Sequence, residues 1–188
     1  SVTAAQLRDA GVGQVQSAGK IKEARLFLER EHFDIVVCTQ EFEGSPDTGQ
    51  DLLDELRREN LLPHITVFLM ITASVTYSQV VEAGESALDG LLVRPYTAAL
   101  MCQRLLEARN RKRELADVLR ALETGHVEVA FARALKRFND GLPYAAYCGR
   151  MAAELLLTLN RPADAKMVFE KLVQSKASSW ARLGVARA

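Results

Sequence analysis

Three residues able to hold an anion each stand directly after a short apolar run: Thr39 after Ile35 to Cys38, Thr72 after Thr66 to Ile71, and Arg94 after Gly90 to Val93. Two hydroxyls and a guanidinium are all hydrogen-bond donors. If the runs are neighbouring strands of one parallel sheet, their carboxyl ends border a single crevice. Each residue also has a plainer reading. The threonines can cap the turns or helices that come after them, and Arg94 can neutralise Glu41, Glu43 or Asp47 on the loop after the first run, an ion pair we favour over anion binding. Cys38 borders the same place without a base near it in sequence, so it reads as a small buried apolar residue and not a nucleophile. His32, His64 and His126 lack metal-site spacing, and Cys102 and Cys148 do not complete one. No GxGxxG, Walker, GxSxG or HExxH pattern is present.

Hydrophobic spacing defines the helices and strands around these residues. Thr3 to Ala10 reads as a helix with a Thr3/Gln6 capping pair and a stop at Gly11. Val12 to Gln16 is a short strand candidate. Lys20 to Glu31 puts Ile21, Ala24, Phe27 and Leu28 on one face of a second helix. Gly44, Ser45, Pro46, Asp47 and Gly49 make Glu41 to Gly49 a loop, after which Leu52, Leu53 and Leu56 mark a third helix. Ser78 to Glu82 starts a short helix that ends near Gly84. Thr97 to Leu122 contains no Gly or Pro and keeps an apolar stripe, which predicts one long helix; Gly125 breaks it, and His126 to Phe138 forms another. Strands alternating with helices, then helices alone, predict an α/β doubly wound parallel sheet followed by an all-α region.

Composition bounds the function. The chain has 188 residues, 48% hydrophobic and 26% charged, which suits a folded chain of one or two domains and excludes disorder as its main state. Its 24 Lys+Arg and 24 Asp+Glu cancel, so no global field attracts nucleic acid or anionic lipid. The charged stretch Arg109 to Glu114 reads as a solvated helix face. Three separated cysteines suit reduced thiols and a cytoplasmic protein, and no apolar run is long enough to span a bilayer.

FDIVVCT, GQDLLDELR, FLMITA and LLVRPY occur in order and near the right separations to resemble a bacterial response-regulator receiver domain over about residues 1 to 121. The resemblance implies a flavodoxin-like sheet and a phosphoryl-accepting carboxylate after one strand. It also implies two further acids that hold Mg²⁺, and a Ser/Thr and a Lys that stabilise the phosphoryl oxygens. Thr72 matches the hydroxyl, and Pro95 with Tyr96 matches the pair of residues after the Lys. Arg94 replaces the Lys itself. Thr39 stands in the acceptor position, where a neutral hydroxyl cannot form an acyl phosphate, and Leu91 replaces an aromatic residue. The family's first strand, central in its sheet, has no counterpart. We therefore expect that residues preceding Ser1 exist, or that another chain fills the gap.

Residues 122 to 188 form the helical part, of which 144 to 188 resemble tetratricopeptide (TPR) repeats. The likeness rests on Ala153, Leu156, Leu159, Asn160, Ala165, Phe169 and Leu172, with Pro162 in a first helical turn and WARLG at Trp180 to Gly184 opening a further repeat. The resemblance implies a protein partner, for which Trp180, Phe169 and Leu172 are candidate contacts, while Leu115, Leu119 and Leu122 on the long helix are candidate dimer contacts. The expectation is a non-enzymatic signalling adaptor whose receiver has lost its phosphoacceptor and needs no cofactor. The alternative is a phosphorylation-competent regulator using Glu41 or Asp47 with Mg²⁺, and a third reading is an enzyme using Cys38.

Overall fold

The computed structural model describes residues 2–9, 11–42, 44–73, 88–174 and 184–185. Two compact units divide the chain, residues 1–110 and 111–188, where the sequence reading draws its line after residue 121.

In the first unit three strands, β1 (Ile35–Thr39), β2 (Val67–Thr72) and β3 (Gly90–Val93), form one parallel sheet in the order β1-β2-β3. Ile35 pairs with Val67, Thr39 with Ile71, and Thr72 with Val93. Side chains alternate between faces, and each face is roofed by helices. Val67, Leu69, Ile71 and Leu92 pack with Leu7 of α1 (Val2–Asp9) and with Met101, Leu105 and Ala108 of α4 (Ala98–Glu114). Phe68, Met70 and Cys38 pack with Leu28 of α2 (Ile21–Arg30) and with Leu52, Leu53 and Leu56 of α3 (Gly49–Arg58). This is the expected doubly wound α/β arrangement. Asp89 locks the entry to β3: its N–H donates to the Phe68 carbonyl and its carboxylate accepts from the Phe68 N–H at 2.8 Å.

The strand expected at Val12 to Gln16 does not form; Val12 and Val15 rest against the α1/α4 face without entering the ladder. An extended segment becomes a strand only by pairing. The edge it would need is one side of β1. Asp34 accepts from Val67, and Gln40 donates to Ile71. Alternate residues of a parallel strand share one side, so Ile35, Val37 and Thr39 turn their backbone groups away from β2, where no described strand lies. β2 is buried along its whole length, while Ile35, Val36 and Val37 are only half-buried. The Thr3/Gln6 capping pair is also not realised, because α1 begins at Val2 and runs through Thr3, whose hydroxyl lies 3.4 Å from that of Tyr96. The helix expected at Ser78 to Glu82 lies outside the described residues.

In the second unit α5 (Ala116–Glu123), α6 (Val127–Asn139), α7 (Ala145–Thr158) and α8 (Pro162–Gln174) pack in sequence. Ala130, Ala134 and Ala152 are fully buried beside Val118, so small side chains set the close spacing of α5, α6 and α7. Pro162 opens α8 as expected, since its missing N–H has no partner to lose there. Asn160 adopts φ 56 and ends α7, with the Arg161 N–H returning to the Leu156 carbonyl at 2.8 Å.

Two expectations are corrected here. The long helix is interrupted at Leu115, whose φ −99 and ψ 13 leave the helical region and separate α4 from α5. Leu115 and Leu119 are buried against Cys148 of α7, with half-buried Leu122 beside them. Their own chain covers Leu115 and Leu119, so these two do not present a dimer surface. Phe169 and Leu172 are likewise buried, packed with Ala153, Leu156 and Val168, and serve as core instead of partner contacts. Trp180 lies outside the described residues.

Candidate functional site

Parallel strand order places Thr39, Thr72 and Arg94 at the carboxyl ends of three adjacent strands, so the sequence-predicted set shares one sheet edge. Thr72 is the deepest of the three, 1% exposed. Its hydroxyl donates to Glu41 Oε1 at 3.1 Å. The Arg94 N–H donates to the Thr72 carbonyl at 2.9 Å, and the Arg94–Pro95 peptide bond is cis. The side chain of Arg94 is exposed and forms no ion pair with Glu41 or Asp47, which corrects the favoured ion-pair reading; the Glu43 side lies outside the described residues. Glu41 instead serves Thr72, because the loop turns its carboxylate toward the end of β2.

The loop after β1 is fixed at both ends. Gln40 extends the ladder by donating to Ile71 O at 2.7 Å, and Glu41 forms an isolated antiparallel bridge with Thr48. Thr48 in turn caps α3: its hydroxyl accepts from the Asp51 N–H at 3.2 Å, while the Asp51 carboxylate accepts from the Thr48 N–H at 2.7 Å. The Thr48 hydroxyl, donating to the Asp51 carboxylate at 2.7 Å, and then the Thr48 N–H hold the Asp51 carboxyl below the usual aspartate pKa. The sequence reading assigns Thr48 to the loop Glu41 to Gly49 and misses its capping box with Asp51, although the T-x-x-D spacing before Leu52 is its signal.

Cys38 is buried, and desolvation pushes its thiol up to about 12, so it stays protonated and unreactive near neutral pH. That removes the nucleophile reading. Mg²⁺ does not fit the described residues either. Such an ion keeps several waters and takes one or two free carboxylates together with phosphate oxygens. Here Thr39 contributes only a hydroxyl, Glu41 is engaged by Thr72, and no group of three or more His, Cys, Asp or Glu side chains gathers among the described residues.

Comparison with known proteins decides the lineage of this arrangement. The chain is 36% identical over 99 residues to the chemotaxis protein CheY-3 of Vibrio cholerae, covering 53% of this chain and 74% of that protein. It is 32% identical to the chemotaxis protein CheY of Pseudomonas aeruginosa, covering 77% of that protein. The chain belongs to the CheY-like response-regulator receiver family. Solved receiver domains share the fold: one from a Francisella response regulator aligns at TM-score 0.51 with 20% identity over 58% of this chain and 86% of the other. One from Clostridium thermocellum aligns at 0.51 with 23% identity over 61% and 87%. No family model matches the chain. Within the receiver fold, the carboxyl ends of β1, β2 and β3 are therefore where Thr39, Thr72 and Arg94 stand. No helix among the described residues is long and apolar enough to cross a membrane.

Proposed function

We propose that this protein is a cytoplasmic signalling adaptor of the two-component type whose receiver works by association and not by phosphoryl transfer. The observation that carries the reading is Thr39 at the end of β1, a side chain that cannot form an acyl phosphate. Support comes from Glu41, the nearest described acid of the loop, whose carboxylate accepts the Thr72 hydroxyl bond. The helical unit, of TPR-like spacing, supplies the contact to a protein partner; neither nucleic acid nor membrane is needed, and the protein is not an enzyme. Incubation with acetyl phosphate and Mg²⁺ followed by intact mass measurement tests the reading. No phosphoryl increment is expected, and an acid-labile gain in mass would overturn it in favour of a substitute carboxylate acceptor.

A further inference from the structure

The Thr72 hydroxyl has an anionic acceptor supplied by its own chain. Glu41 is held on one side by the Gln40–Ile71 ladder bond and on the other by its bridge to Thr48, itself tied to α3 by the capping box. Its carboxylate reaches Thr72 across 31 residues of sequence, at 3.1 Å from a hydroxyl that sits in a buried residue. A carboxylate offers a hydroxyl donor the same kind of acceptor as a phosphoryl or phosphate oxygen, and a charge-assisted bond of this sort is stronger than a neutral one. A second anion approaching Thr72 would have to displace Glu41 and withstand its charge. At the neighbouring strand end the side chain of Arg94 is exposed and forms no ion pair among the described residues.

We propose that Glu41 is a built-in oxyanion that keeps Thr72 permanently engaged and closes the strand-end crevice to external phosphate. This rests on the reading above, in which the receiver works without phosphoryl chemistry, and names how the crevice is kept silent. Removing the carboxylate opens a phosphate site made of the Thr72 hydroxyl and Arg94.

The test uses the full chain with threonine methyl groups labelled for NMR, with inorganic phosphate as the probe. In Glu41→Ala the Thr72 methyl resonance shifts while those of Thr66, Thr124 and Thr158 stay in place, and the Thr72 signal then titrates with phosphate. Wild type responds at least about tenfold more weakly, the scale of one charge-assisted hydrogen bond. An unmoved Thr72 resonance in Glu41→Ala overturns the proposal. So does a wild-type phosphate response equal to the variant's, or a variant that ignores phosphate. Should Glu41→Ala disturb all the methyl signals, the near-isosteric Glu41→Gln, which keeps a neutral acceptor but removes the charge, is judged by its phosphate response alone: a response no stronger than wild type's overturns the proposal. A phosphoryl mass gain in wild type defeats the phosphorylation-free reading but leaves the Glu41–Thr72 contact to be judged by the methyl signals, so the two failures are distinct.

Discussion

A Cβ added at Gly49 would collide with the main-chain oxygen of Thr39 and lie 2.7 Å from Met70 Sδ. The first residue of α3 is thus pressed against the end of β1, with its N–H donating to the Gln40 carbonyl at 2.9 Å. This contact sets where the loop carrying Glu41 leaves the sheet. Gly49→Ala forces the backbones apart and is expected to cost about 1–3 kcal/mol in urea unfolding, the usual range for overpacking. Gly13→Ala meets nothing within 4 Å and is the matched control, expected to leave the midpoint nearly unchanged. Equal midpoints for the two variants would contradict the close approach.

Thr48→Ala should destabilise by about 1 kcal/mol through loss of the α3 cap. It carries a pH signature as well. Bonds from Thr48 depress the Asp51 carboxyl below 3.8, so in the folded state it stays ionised where the unfolded chain takes up a proton. Its contribution is present above 3.8 and lost as pH falls below that value. Denaturation measured from neutral into that acid range should show a shallower loss of stability for Thr48→Ala than for wild type. Parallel curves would mean the capping box does not hold Asp51.

The sheet and its helices were legible because each strand is an apolar run too short for a helix, and each helix stripes its apolar residues at three and four. Thr39, Thr72 and Arg94 could be grouped from sequence, since strand ends of a parallel sheet fall at one edge. Partner choice was beyond reach of the sequence. Glu41, Glu43 and Asp47 all lie on one loop, and only the bridge to Thr48 decides that Glu41 turns toward Thr72. Val12 to Gln16 is a short strand candidate, yet a ladder depends on a neighbour that local pattern does not reveal. At Leu115 the apolar stripe runs on unbroken and hides the interruption of the helix.

Leu115 and Leu119 offer a direct check on the helical unit. Both are buried against Cys148 and its neighbours on α7. Leu119→Ala is therefore expected to cost about 2–5 kcal/mol by leaving a cavity. Helical circular dichroism of the full chain during thermal melting should show the loss, while light scattering should give the same mass as wild type under native conditions. A changed mass without loss of stability would return these leucines to an intermolecular role.

The two buried thiols make alkaline stability the last test. Burial raises Cys38 from 9.0 to about 12 and Cys148 from 9.0 to about 11; for Cys148 the Asp117 carboxylate adds to the rise and Arg137 opposes it. An unfolded chain releases these protons near 9.0, whereas the folded chain retains them, so unfolding is progressively favoured as pH climbs from 9.0 toward about 12. Each thiol should then contribute a decline of roughly 1 kcal/mol per pH unit within its window, and none below it. Cys38→Ala lowers stability at neutral pH by opening a small gap beside Leu53 and Met70, but it flattens the alkaline decline relative to wild type. Urea unfolding at a series of alkaline pH values separates the two effects. An identical slope in wild type and variant would mean that the Cys38 thiol reaches water in the folded protein and that the α2/α3 face of the sheet is less tightly roofed than its packing requires.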